Sequence, residues 1–267
     1  MDASRPPEDA TRRTLAAVLV AAALCSSSAA GADEIRVMTT RALGAAIQDV
    51  VPAFERETGH TILTVYGGST GAAPDSIPHR LERGEQADVV ILAGAALDDL
   101  IGQGRVMPGS RVDLARSGIG MVVRSGMPRP DVSTVDALRR ALLNATSIAY
   151  STSASGVYVA TGLLPRLGIV DALEGKIRIV DGDPIATAVA RGDADIGFQQ
   201  TSELLHAPGV DYLGPLPSDV QNITVFSAGI AVGAASPGAA RALIAFLASS
   251  AVSVALAKSG LEPVTPR

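Results

Sequence analysis

Short apolar runs with strand character alternate with amphipathic helical segments through nearly all of this chain, and that rhythm restricts its fold more than any other property. A strand at 34–39 leads to a helix at 42–58 whose Leu43, Ala46, Ile47, Val50, Val51 and Phe54 share one face, with Gly59 as its stop. A strand at 61–66, a helix at 78–83, a strand at 88–93 and a helix at 95–103 complete a first block. Pro78 suits a first helical turn, and Asp75 or Ser76 its cap. The second block has strands at 118–124, 147–151, 176–180 and 195–200, and helices at 132–144, 157–167 and 184–191, with Gly168 ending the middle one. A connection containing Gly214, Pro215 and Pro217 leads to a strand at 223–232, and a helix at 237–249 closes the pattern. Strands joined by helical crossovers form parallel sheets wrapped by helices. The expected fold class is therefore α/β, in two lobes, each a mainly parallel sheet flanked by helices.

Two loops at strand ends carry the first functional signal, because ligands of open α/β sheets bind there. Gly67-Gly68-Ser69-Thr70-Gly71 follows the strand at 61–66. Its glycines let backbone approach a ligand closely, and Ser69 and Thr70 add hydroxyl donors without charge, which suits a small anion. Backbone N–H groups of a following helix can add to such a cradle. Ser151-Thr152-Ser153-Ala154-Ser155-Gly156 makes a second loop, in which Ser153 and Ser155 can cap the next helix or meet an anion.

Composition narrows the rest. A formal charge of −5 without Lys/Arg blocks argues against nucleic acid as a partner. His60, His79 and His206 are far apart in sequence, so no zinc site is expected. Arg12 and Arg13 precede an apolar run from Leu15 to Leu24 and a small-residue stretch ending Ala30-Gly31-Ala32, which together read as an export signal cleaved after Ala32. That run is too short to span a bilayer. Thr11-Arg12-Arg13-Thr14-Leu15 loosely resembles a twin-arginine signal, and cleavage removes Cys25, the chain's one cysteine.

The order of these motifs is similar to that of periplasmic molybdate-binding proteins of the type 2 solute-binding superfamily. Besides the glycine loop it rests on Arg83-Gly84-Glu85-Gln86-Ala87-Asp88-Val89, Gly182-Asp183-Pro184 and Ala190-Arg191-Gly192-Asp193-Ala194-Asp195-Ile196-Gly197, and it spans nearly all of residues 34–264. The resemblance implies a two-lobed periplasmic protein with its ligand in the cleft between lobes. The lobes would be residues 33–115 plus 222–267, and 116–221. It also implies a monomer delivering a small anion to the permease of an ABC importer.

The site departs from that pattern. Where molybdate binders have a serine-containing turn after the first strand, this chain has Thr39-Thr40-Arg41-Ala42, and Phe198-Gln199-Gln200-Thr201 stands where relatives tend to place a tyrosine. A guanidinium fork matches a planar carboxylate, whereas neutral donors suffice for a tetrahedral oxyanion. The segments 109–117, 149–158 and 196–200 resemble a branch of the superfamily that includes periplasmic aconitate isomerase. That resemblance implies an allylic proton shift interconverting trans- and cis-aconitate, with no metal or organic cofactor. The ligand-binding residues expected are Thr40, Arg41, Ser69, Thr70, Ser153, Ser155, Gln199 and Gln200. For the acid/base group the sequence offers His79, Tyr158 and Glu203, with His79 first because its ordinary pKa suits proton shuttling near neutrality. The competing expectation is a molybdate-like binder without catalysis.

Overall fold

The computed structural model describes residues 32–70 and 73–264, so the export signal read over residues 1–32 lies outside the described residues except for Ala32, as does Gly71. Among the described residues the strands are β1 (Glu34–Thr40), β2 (Thr61–Gly67), β3 (Val89–Ala93), β4 (Val112–Ser117), β5 (Ile119–Arg124), β6 (Ile148–Tyr150), β7 (Ile177–Ile179), β8 (Ile196–Gln200), β9 (Val210–Pro215), β10 (Thr224–Ile230) and β11 (Glu262–Pro263). They form a six-stranded sheet in the order β11-β4-β10-β3-β1-β2 and a five-stranded sheet in the order β7-β6-β8-β5-β9, both flanked by helices.

Parallel pairing joins β1 to β2 and β3, and β6 to β7 and β8, where helices make the crossovers. Antiparallel pairs make both sheets mixed where mainly parallel ones were expected: β10 runs against β3 and β4, β11 against β4, and β5 against β8 and β9. Central β3 shows why the apolar runs become strands, since all five of its residues are buried between neighbours on both edges and helices on both faces. On one face Ala46, Ile47, Val50 and Phe54 of the helix Gly44–Thr58 join Leu243, Ile244 and Leu247 of the helix Pro237–Leu247. Ile77, Leu81, Leu97 and Leu100 cover the other. The second sheet has the same three layers, with Leu138, Leu142, Leu163 and Phe198 on one side and Val122, Ile185 and Val189 on the other.

Three strands lack the expected sequence signature. β4 carries Asp113 and Arg116, β9 ends in Gly214 and Pro215, and β11 is two residues long, so sheet pairing rather than local propensity makes them strands. The helix expected at 157–167 is a composite of an α-turn Ala154–Tyr158, a π-helical turn Val159–Leu163 and an α-turn Leu164–Leu167. Pro165 lacks the N–H that would bond residue 161, and Leu164 N–H reaches back to Val159 O instead.

The chain passes between the sheets through Gly118 and returns through residues 221–223, and one side chain ties the two passages together. Gln221 Oε1 accepts from Ile119 N–H at 2.9 Å and from Asn222 N–H at 2.9 Å, while its Nε2 donates to Ile119 O at 3.0 Å. The fit is close enough that a Cβ on Gly118 would stand 3.0 Å from Gln221 Nε2. Gln200 Nε2 adds a bond to Thr224 Oγ1 at 3.1 Å, and Tyr158 O–H donates to Val220 O at 2.7 Å. Gln221→Ala leaves the N–H groups of Ile119 and Asn222 without partners, at an expected cost of about 1–3 kcal/mol. Calorimetry should show Tm falling by several degrees; an unchanged Tm would mean the amide fork contributes nothing.

Candidate functional site

Strand ends from both sheets converge on one cleft. From the first sheet Thr40, Arg41, Gly67, Gly68, Thr70 and Asp75 form its wall, and from the second Ser151, Thr152, Ser153, Asp181, Gly182, Asp183, Gln199 and Glu203. Thr40 caps the 3-10 turn Arg41–Leu43, its Oγ1 accepting from Ala42 N–H at 3.4 Å, and that turn directs Arg41 across the opening. Arg41 Nη2 donates to Gly182 O at 3.1 Å, and Nη1 lies 3.7 Å from Asp75 Oδ2. Among the described residues of the wall Arg41 is the only basic side chain.

The glycine loop is shaped by its own chain. A Cβ on Gly67 would lie 2.3 Å from Asp75 O, because residues 75–77 fold back over the loop, and Ile77 N–H donates to Gly68 O at 2.9 Å. Ser69 is buried with Oγ accepting from Ala93 N–H at 3.0 Å, so its hydroxyl anchors the loop to the end of β3. Thr70 does stand in the cleft wall, with its Oγ1 buried and unbonded. In the second loop Ser153 Oγ and Ser151 Oγ are 2.8 Å apart. Thr152 donates to Asp181 Oδ1 from N–H at 3.0 Å and from Oγ1 at 2.7 Å. Gly156 is required by steric closeness alone, since a Cβ there would sit 1.6 Å from Ser151 O. Gly197 likewise lets the helix Ile185–Arg191 press on β8, which brings the 181–184 loop to the cleft; Ile185 Cγ2 is 2.6 Å from where its Cβ would be.

At the end of β8 successive side chains diverge. Gln199 lines the cleft and Gln200 turns to Thr224. Gln199 Nε2 donates to Glu203 Oε2 at 3.0 Å, and Gln199 Oε1 is buried without a partner. Glu203 lies one helical turn on, in the short helix Thr201–Leu204, and faces the same cleft. Burial raises its pKa from about 4.5 to about 7, against the opposing effects of the Gln199 bond and the Arg41 charge. The other acidic groups face cations or hydroxyl and backbone donors: Asp183 pairs with Arg191 at 3.1 Å, Asp181 accepts from Thr152, and Asp75 Oδ2 lies 3.7 Å from Arg41 Nη1.

Of the residues singled out from sequence, Thr40, Arg41, Thr70, Ser153 and Gln199 meet in the cleft wall. Ser69, Ser155 and Gln200 stand behind it, Ser155 with a buried, unbonded hydroxyl. His79, expected as the acid/base group, is not part of this wall: it sits on the helix Ile77–Glu82, with Nδ1–H donating to Ala73 O at 3.1 Å and Nε2 lying 3.8 Å from Glu82. Tyr158 is held by Val220, also outside. Sequence reasoning missed Asp75 and Asp181 and ranked Glu203 below His79. The available signal was the four-residue spacing of Gln199 and Glu203 beyond a strand of apolar and small residues.

Comparison with known proteins matches residues 35–262 to the family described as bacterial extracellular solute-binding protein. Over 230 residues the chain is 43% identical to an aconitate isomerase from a Pseudomonas species, covering 86% of this chain and 88% of that protein. It is 28% identical over 181 residues to the molybdate-binding protein ModA of Azotobacter vinelandii, covering 66% and 68%. The solved periplasmic molybdate-binding protein of Azotobacter vinelandii superposes with a TM-score of 0.71 at 20% identity, over 87% of this chain and all of that one.

The environment of Glu203 has a measurable consequence for stability. An acid whose folded pKa is raised holds an extra proton in the folded state between its two pKa values, so stability falls as pH rises from about 4.5 to about 7 and is level above. Relative to Glu203→Gln, the unaltered protein should lose up to about 3 kcal/mol across that interval. Paired urea melts at several pH values measure it, and a difference that does not vary with pH would show that the carboxyl is not desolvated.

Proposed function

Because this chain belongs to the bacterial extracellular solute-binding protein family, we propose that its cleft takes a small polycarboxylate and that the protein interconverts trans- and cis-aconitate. The observation that carries this reading is the 43% identity to an aconitate isomerase over most of both chains. The site is chemically apt for it. Arg41 matches a planar carboxylate, and Thr40, Thr70, Ser153 and Gln199 offer neutral donors for the others. The reaction removes a methylene proton made acidic by the conjugated carboxylate, and the proton returns at the former vinylic carbon once electron density has shifted across the allyl unit. Donors on the substrate carboxylates stabilise the dienolate charge between these steps. Residues 33–117 with 222–267 act as one lobe and 118–221 as the other, the break falling two residues beyond the expected 115/116 because Arg116 and Ser117 pair with β10, in a monomer exported to the periplasm and cleaved after Ala32.

A second reading is favoured by the relationship to ModA: a binder that passes a molybdate-like oxyanion to the permease of an ABC importer, without turnover. The two separate in one pair of measurements. Protein lacking residues 1–32, mixed with trans-aconitate, should produce cis-aconitate, and aconitate but not molybdate should raise Tm. Stabilisation by molybdate alone would remove the carboxylate reading. Arg41→Ala should weaken aconitate binding about 10- to 100-fold, the range for losing hydrogen bonds to a charged group, as read by calorimetry. An equal loss for molybdate would take away the carboxylate-specific role of Arg41.

A further inference from the structure

Taking the isomerase reading as given, we propose that Glu203 is the group that carries the proton between the two substrate carbons and that Gln199 is its positioning residue. The geometry selects Glu203 among the acids of the cleft. Asp75 faces Arg41, Asp181 holds both donors of Thr152, and Asp183 is paired with Arg191. Glu203 has a neutral amide as its hydrogen-bond partner, Gln199 Nε2 at 3.0 Å. An amide serves either protonation state: its N–H donates to the carboxylate, and after a turn about its last torsion its oxygen accepts from the carboxylic acid. That oxygen, Gln199 Oε1, is buried and unbonded. Desolvation places the titration of Glu203 where acid and base forms coexist near neutrality.

The step balances without an oxidant or a second acid. Glu203 carboxylate forms an O–H bond with the methylene proton. The C–H electron pair becomes part of the allyl system as the original double-bond pair moves onto the adjacent carboxylate. As the pair returns, the same O–H bond breaks and a C–H bond forms at the carbon that was vinylic. One carboxyl acting at both carbons confines the transfer to one face of the substrate.

The charged groups sharing the cleft with Glu203 are Arg41 from the turn after β1, Asp75 from the segment before Ile77–Glu82, and Asp181 and Asp183 from the loop after β7. Tyr212 reaches the same short helix from β9, its O–H 3.3 Å from Thr201 Oγ1. The test uses the mature protein and measures kcat, KM and calorimetric affinity for trans-aconitate. Glu203→Gln should lower kcat by about 100- to 10,000-fold, the range for losing a general acid–base group, with affinity kept within a few-fold. Glu203→Asp, which keeps the carboxyl, should recover part of the rate. Gln199→Leu removes the bond that favours the ionised form, so the acidic limb of its kcat/KM profile should move to higher pH. A wild-type protein that turns over while Glu203→Gln keeps kcat within about tenfold would overturn the assignment and leave the isomerase reading intact. Absence of wild-type turnover would overturn both. An unshifted pH profile for Gln199→Leu would remove the positioning role.

Discussion

The amide fork of Gln221 is the constraint on which the rest of the site depends. Two chain segments, reached about a hundred residues apart, must run side by side between the sheets, and their backbone groups need partners there. Gln221 gives Ile119 both a donor and an acceptor. Everything contributed by the second sheet, from the Ser151 loop to Glu203, is carried on chain lying between these passages. The bond from Gln200 to Thr224 fixes the C-terminal end of β8 to the returning strand, so the side chain just before it, Gln199, enters the cleft from a fixed root.

Alternation along that strand then divides two chemically identical residues between two tasks. Gln200 faces the passage and secures architecture, while Gln199 faces the cleft and meets Glu203. The short helix Thr201–Leu204 packs against the turn that carries Arg41, so a carboxyl from one sheet and a guanidinium from the other share a partly water-excluded space. Burial is the dominant influence on Glu203, and Arg41 only moderates it.

Most of the strand–helix rhythm was legible because buried strands such as Val89–Ala93 and amphipathic helices such as Gly44–Thr58 write their environment into local sequence. β4 and β9 were not, because their strand character comes from neighbours supplied by distant chain. In the site, the glycine and serine loops were found correctly as strand-end features, but sequence cannot tell a hydroxyl that faces a ligand from one used to tie a loop. Ser69, bonded to Ala93, is the clearest instance. His79 drew attention through the general chemistry of imidazole, whereas the environment that makes Glu203 titrate near neutrality is built by residues from both sheets and has no local signature.

The contact of Arg41 with Gly182 across the opening has a further consequence. On the proposed carboxylate reading, an incoming solute does not meet a bare cation; it must displace the Gly182 carbonyl from one arm of the fork, while Asp75 stands 3.7 Å from the other. For a solute whose best group is itself a neutral carbonyl, that exchange is nearly even. A carboxylate replaces a neutral acceptor by a charged one, and such bonds are roughly twice as strong. Selectivity of this kind comes from the protein acting as its own weak competitor, a threshold that only the better acceptor crosses.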